Sequence, residues 1–192
     1  MQMEIRIIKE KLQQKLSAKR YCHCLGVQQT AVELAERFGA DTHKAGLAGL
    51  LHDCARDMSN DHLLKRAEEF GIVVGSLERS SPVLLHAPVG AQLARIEYGV
   101  RDEEILQAIT LHTTGGPNMS LLDKIIFLAD YIEPDRCFPG VEELRKLAYT
   151  DLDQAVLAAF DQTICHLIQS QRVVHPTSVK GRNALFLFLN GK

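Results

Sequence analysis

His23, His52, His86 and His112, four of the eight histidines in this 192-residue chain, fall on apolar helical stripes or at helix junctions. Asp53 and Asp130 share that placement. Burying an imidazole beside a carboxylate is unfavourable unless hydrogen bonds or a cation compensate both. A single such residue is readily explained as a satisfied polar group of the core. A set in the order His, His-Asp, His, His, Asp is hard to explain as independent satisfied groups, and it predicts a metal centre. Imidazole and carboxylate without thiolate suit first-row ions, iron or manganese first, then cobalt or zinc, rather than calcium or magnesium alone. Two arrangements stay open. Two ions about 3.5–4 Å apart would use all of these side chains, with His86 and His112 serving the second ion. Alternatively, one ion is held by His23, His52, Asp53 and Asp130, and His86 and His112 contact substrate phosphate. Either way water activated by the metal is the expected nucleophile, which puts Asp53, His86 and His112 at the catalytic centre.

A diphosphate leaving group needs charge neutralisation more than a strong general acid. The candidate cations are Lys19-Arg20, one turn before His23; Arg136, six residues after Asp130; and Lys180 and Arg182-Asn183 in the tail. Arg20 and Arg136 stand out by their proximity to the candidate ligands. Arginine grips phosphate with a planar fork, whereas lysine acts as a point charge.

These residues act together only if helices carry them to one place, and the chain reads as helical nearly throughout. The centre of the pattern is KAGLAGLLHDCARDM, from Lys44 to Met58, apolar nearly all round and therefore an interior helix with His52-Asp53 at its end. Before it, Ile5, Ile8, Leu12 and Leu16 predict an amphipathic helix ending near Ser17. Ser17 then caps a second helix that stops at Gly39. That helix's inward stripe is His23, Val27, Ala31, Leu34 and Phe38. Asp41 caps the central helix and Ser59 the next, while Gly71 to Ser80 reads as a loop. Ser81-Pro82 opens a short turn reaching His86, and Pro88 starts another helix. Asp102 caps EEILQAITLH, whose inward side carries Ile105, Ile109 and His112. Ser120 begins LLDKIIFLADYIEPD, where Asp130 follows Ile126 and Phe127 before Pro134 forces an end. Val141 to Tyr149 forms a short helix, and Asp151 caps a long one to about Arg172. The tail reads as a turn at His175-Pro176, a loop with Lys180 and Arg182, and an apolar terminal segment of helix or strand. The sum is one all-α domain over 1–192, of about eight to ten helices.

Lys plus Arg number 22 against 24 Asp plus Glu, a net charge of -2, so no overall basic field would attract nucleic acid. The opening residues MQMEIRIIKEK lack the apolar core of a signal peptide, and the longest apolar runs are too short to span a bilayer, so the expectation is a cytoplasmic protein without a membrane partner. Five cysteines without zinc-ribbon spacing fit a reducing compartment. Cys22 and Cys24 flank His23, but helical geometry turns them about 100° away from it on either side.

The ligand order resembles the HD superfamily of metal-dependent phosphohydrolases, which are all-helical. The flanking words KRYCHCLGV, LLHDCARD, the lone His86, ITLHTTG, IFLADYIEPDRCFPGV and HPTSVKGRN look like the YqeK family, over a span from about Lys19 to Asn183. That resemblance implies an HD-domain helical bundle with a buried metal site. It further implies symmetrical bis(5'-nucleosyl)-tetraphosphatase activity, cleaving diadenosine tetraphosphate at its centre into two ADP, with iron as the associated metal. By motif, His23, His52, Asp53 and Asp130 match the iron ligands. Arg20, His86, His112, Arg136 and the segment from Arg172 to Asn183, with His175, Thr177, Lys180 and Arg182, match nucleotide-contacting positions, beside the ligands His23, Asp53 and Asp130. Gly181, beside Arg182, is expected to loosen the tail. Rival readings are another HD hydrolase, either a nucleotidase or a cyclic-dinucleotide phosphodiesterase, and a nucleotide-binding regulatory module with an inert HD core. A homodimer is compatible with all of them.

Overall fold

The computed structural model describes residues 3–191, and every regular element among them is helical. In chain order these are α1 (Ile5–Lys15), α2 (Ala18–Phe38), α3 (Thr42–Leu51), α4 (Asn60–Glu69), α5 (Ser76–Ser80), a 3-10 turn (Pro82–Leu85), α6 (His86–Glu97), α7 (Glu103–Leu111), α8 (Leu121–Ile132), α9 (Val141–Ala148), α10 (Leu152–Gln169) and α11 (Pro176–Leu189). The expected start signals are used. Ser17, Asp41, Ser59, Asp102, Ser120 and Asp151 each accept a backbone N–H of the helix they open. Gly39 ends α2 at φ 73°, a left-handed conformation that glycine adopts without steric cost.

Helix α3 is the centre of the molecule. Each residue from Ala45 to Leu51 is buried, and the helix packs against α2, α7 and α8. Removing this much aliphatic surface from water stabilises the fold by about 1.5–3 kcal/mol per large side chain. The approach of α3 to α2 depends on Gly49, where a Cβ would lie 3.0 Å from the Val27 carbonyl oxygen and 3.1 Å from Gln28 Cα. The stripe on α2 packs as expected, with Val27, Ala31 and Leu34 fully buried. No helix among the described residues is long and apolar enough to cross a membrane.

The central helix ends at His52-Asp53 as expected, with Leu51 its last residue and His52 its C-cap. The chain continues in tight turns, with Cys54 N–H donating to the Leu51 carbonyl and Arg56 N–H to that of Asp53. The stretch Gly71 to Ser80 is not all loop, because the Glu78 carboxylate accepts the Gly75 N–H at 2.8 Å and starts α5. Helix α6 begins at His86 and takes Pro88 into its first turn, where no N–H is needed. The tail loop around Lys180 and Arg182 is absent, and α11 is one continuous helix from Pro176. Gly181 packs α11 down instead of loosening it. A Cβ there would stand 2.8 Å from the Gly116 carbonyl oxygen, so the two backbones meet directly. On α10, Leu152, Val156 and Phe160 reach the core, whereas Ile164 and Leu167 are only half-buried.

Candidate metal centre

The four histidines reach one point from four elements, and their local positions explain how. His52 is the C-cap of α3, His86 follows the 3-10 turn, and His112 is the C-cap of α7. At such ends a backbone carbonyl three residues back is free to accept. Accordingly His52 Nδ1 donates to the Gly49 carbonyl at 2.7 Å, His112 Nδ1 to that of Ile109 at 2.7 Å, and His86 Nδ1 to that of Val83. His23 sits inside α2, where the carbonyls are consumed by the helix, and its Nδ1 meets the Glu133 carboxylate at 3.0 Å. With each Nδ1 engaged, the four Nε2 atoms face inward.

These Nε2 atoms form two pairs, His23 with His52 at 3.2 Å and His86 with His112 at 3.0 Å. Asp53 stands between them. Its Oδ2 faces His52 at 3.4 Å and His23 at 3.7 Å, while its Oδ1 faces His86 at 3.2 Å and His112 at 3.5 Å. Asp130, from the last turn of α8, adds Oδ1 at 3.0 Å from His23 and 3.7 Å from His52. The ligating atoms of His23, His52 and Asp130 lie within 4.8 Å of one another, as do those of His52, Asp53 and His112. Nitrogens whose partner Nδ1 carries the proton converge here with lone pairs, beside carboxylate oxygens. That is a donor set which a cation satisfies and which neutral hydrogen bonding alone does not. The residues therefore fit a divalent first-row ion.

Electrostatics agree with this fit. For Asp53, burial favours the neutral acid, but the charge of His52 and hydrogen bonds from His112, His52 and His86 outweigh it and hold the carboxyl well below the usual range. Asp130 is likewise depressed, burial being outweighed by His23, His52 and Arg136. Burial disfavours charge on His23, yet Asp130 and Glu133 overcome that and raise its pKa. The field that draws a proton to His23 would also hold a cation. His86 moves the other way, lowered by burial and by the neighbouring His112.

The two arginines singled out by sequence are at the centre. Arg20 Nη1 donates to Asp53 Oδ2 at 2.6 Å, and Arg136 donates to Asp130 through Nη2 to Oδ1 at 2.5 Å and Nε to the carbonyl at 2.8 Å. Beside Arg136 opens a cavity of about 850 Å³ lined by Asp130, His112, Arg136, Tyr131, Phe138 and Arg172, among others. Tyr131 and Phe138 pair there with ring centroids 5.0 Å apart. Two others of the tail set, His175 and Arg182, have their own partners. His175 caps α11 and meets Glu78 at 3.2 Å, and Arg182 donates to Asp161 at 2.8 Å and to Asn183 at 3.4 Å. Lys180 is exposed and Thr177 lies near Gly116.

Sequence reasoning missed Glu133, Thr113 and the aromatic pair. Thr113 Oγ1 lies 3.1 Å from His86 Nε2 and 3.0 Å from that of His112. The available signal for Glu133 was its position three residues after Asp130, on the same face of the helix end.

An HD domain family model matches residues 20–135. The protein of Bacillus subtilis (strain 168) named bis(5'-nucleosyl)-tetraphosphatase, symmetrical, is 47% identical over 86% of this chain and 88% of its own length. The protein of the same name from Staphylococcus aureus is 40% identical over 92% of each chain. A crystal structure from Clostridium acetobutylicum, described as a predicted HD superfamily hydrolase involved in NAD metabolism, is 44% identical, with a TM-score of 0.94 over 97% of this chain and 98% of that one.

Proposed function

The chain belongs to the HD domain family, and from that premise we propose that it hydrolyses the central phosphoanhydride of dinucleoside tetraphosphates, turning diadenosine tetraphosphate into two ADP. The observation that carries this reading is the Asp53 carboxylate, whose two oxygens each face a different pair of imidazole Nε2 atoms, beside a cavity that His112 and Asp130 line.

His23, His52, Asp53 and Asp130 would hold the metal ion, which when bound would polarise water and a phosphoryl oxygen. Iron is our first assignment, and manganese, cobalt and zinc suit the same donors. His86, His112 and Asp53 Oδ1 form the second set. It serves a second ion if the metal count per chain is two, and substrate phosphate if it is one, so elemental analysis decides between them.

The remaining steps belong to the protein's own side chains. Arg20 spends only Nη1 on Asp53, which leaves the rest of its fork for a phosphate oxygen. Arg136 is anchored to Asp130 and reaches the cavity wall, where it neutralises the diphosphate that leaves. The nucleoside lies in the cavity, with its base against Tyr131 and Phe138, since aromatic faces hold bases by stacking at about 1–3 kcal/mol each. Water adds to one of the two central phosphorus atoms, the bond to the bridging oxygen breaks, and a nucleoside diphosphate leaves on either side. If the set of His86 and His112 holds no second ion, the buried His86, its pKa lowered by burial and by His112, is placed to take the proton from water.

Product analysis of the metal-loaded protein tests the reading. Diadenosine tetraphosphate should give ADP alone. ATP plus AMP, or no cleavage with metal bound, would point to another HD hydrolase or to a binding module.

A further inference from the structure

Three of the four central imidazoles are held by backbone and one is not. His52, His86 and His112 give their Nδ1 protons to carbonyls three residues back in their own helix or turn. His23 has no such acceptor within α2, and Glu133 serves instead, 110 positions away in sequence. Glu133 is 2% exposed, and its buried carboxylate has few other partners. Oε1 faces His23 Nδ1 at 3.0 Å and Arg136 Nε at 3.8 Å, and Oε2 accepts the Asp135 N–H at 2.7 Å.

The surroundings are arranged to keep this carboxylate in place. Gly26 lies three residues beyond His23 in α2, and a Cβ there would be 2.8 Å from Glu133 Oε2. The carboxylate packs directly on the bare backbone of α2 at that position. From α9, Arg145 donates Nε to the Ile132 carbonyl at 2.8 Å and Nη2 to the carbonyls of Glu133 at 2.7 Å and Arg136 at 2.8 Å. One guanidinium thus fastens the bend that carries both Glu133 and Arg136.

We propose that Glu133 is the positioning residue of the metal centre. It accepts the Nδ1 proton of His23, fixes the ring so that Nε2 points at Asp130 and His52, and strengthens that nitrogen as a ligand. The inference rests on the metal-centre reading above and adds a residue to it. A carboxylate behind a ligating imidazole locks its tautomer and raises its basicity, and losing such a partner costs roughly 10- to 100-fold in metal affinity. Glu133 touches neither the ion nor the substrate in this scheme.

The test uses the full chain stripped of metal. Zinc affinity is measured by competition with a chromophoric chelator for wild type, E133A and G26A, with thermal unfolding of each apoprotein alongside. E133A should bind zinc roughly 10- to 100-fold more weakly. G26A, which leaves the carboxylate in the chain but pushes its tip by a few tenths of an ångström, should weaken binding in the same direction and by less than E133A. In the zinc-loaded wild type the His23 Nδ1–H should appear as an exchange-protected resonance, lost in E133A and shifted in G26A. KM for substrate at saturating metal should stay within about twofold of wild type while kcat falls, a split that general loosening of the fold would not produce. Wild-type zinc affinity in E133A, or a protected Nδ1–H that survives there, overturns the proposal. If E133A does not fold, G26A with wild-type affinity and an unchanged resonance overturns it. A wild type that takes up no zinc overturns the metal-centre reading itself, and this inference with it.

Discussion

Gly49→Ala perturbs the width of the metal centre without touching a ligand. The new Cβ would lie 3.0 Å from the Val27 carbonyl oxygen, 3.1 Å from Gln28 Cα and 3.2 Å from Gln28 N. All three are backbone atoms of α2 and cannot rotate away. Comfortable contact needs about 3.5–4.0 Å, so α3 must retreat by about half an ångström. His52 moves with it, because its Nδ1 is bonded to the Gly49 carbonyl, and its Nε2 stands 3.2 Å from that of His23 on α2. A misplacement of about 1 Å can cost about 100-fold in rate, so half of that predicts a loss of about 10-fold in kcat/KM. For stability, alanine in a helix interior gains about 1 kcal/mol over glycine, and overpacking loses about 1–3 kcal/mol. The net loss is about 0–2 kcal/mol, or a fall in Tm of up to about 8 °C for a domain of this size. Steady-state hydrolysis at saturating metal, with thermal melts followed by circular dichroism, measures both. Unchanged kcat/KM with a Tm raised by the helix-propensity gain alone would refute the claim that this contact sets the geometry.

Asp53→Ala should keep the helical circular dichroism spectrum and lower kcat by about 1000-fold or more, since in the proposed function several kcal/mol of charge stabilisation depend on metal held at this carboxylate. Full turnover in that variant removes its assigned role. Arg145→Ala should destabilise the chain by about 2–3 kcal/mol through the loss of charge-assisted bonds to the Ile132, Glu133 and Arg136 carbonyls, and lower Tm by about 5–10 °C. Arg145→Lys should recover less than half of this, because a point charge cannot fork across three carbonyls. Thiol titration of the native protein should label Cys22, Cys137 and Cys165, which are exposed, and spare Cys24 and Cys54 until denaturant is added. Burial pushes the Cys54 thiol up to about 12, away from the reactive thiolate, and Cys24 in the same direction. Fast labelling of all five cysteines would show that α2 and the turns after α3 open in solution.

Much of the site was legible because its chemistry conflicts with its surroundings. An imidazole on the stripe of Val27, Ala31 and Leu34, or a carboxylate beside Ile126 and Phe127, stands out against helical periodicity, and the order His, His-Asp, His, His, Asp follows from those misfits alone. The helices were legible for a related reason. Capping residues such as Asp41, Asp102 and Ser120 satisfy backbone N–H groups only a few positions away, so their effect is written locally. Local rules misread the tail, where Gly181 of α11 meets Gly116, a contact between segments 65 positions apart that no window of the sequence contains.

What tertiary structure alone decided is which residues serve which. That Asp53 turns one oxygen to His23 and His52 and the other to His86 and His112 depends on α3 ending in tight turns between α2 and α7. That Glu133 belongs to His23 depends on the end of α8 crossing α2 at the one turn where Gly26 leaves space. The composition and spacing of a chain determine which side chains are costly to bury. The partner that offsets each cost is chosen by through-space distances, and these exist only once the helices have packed.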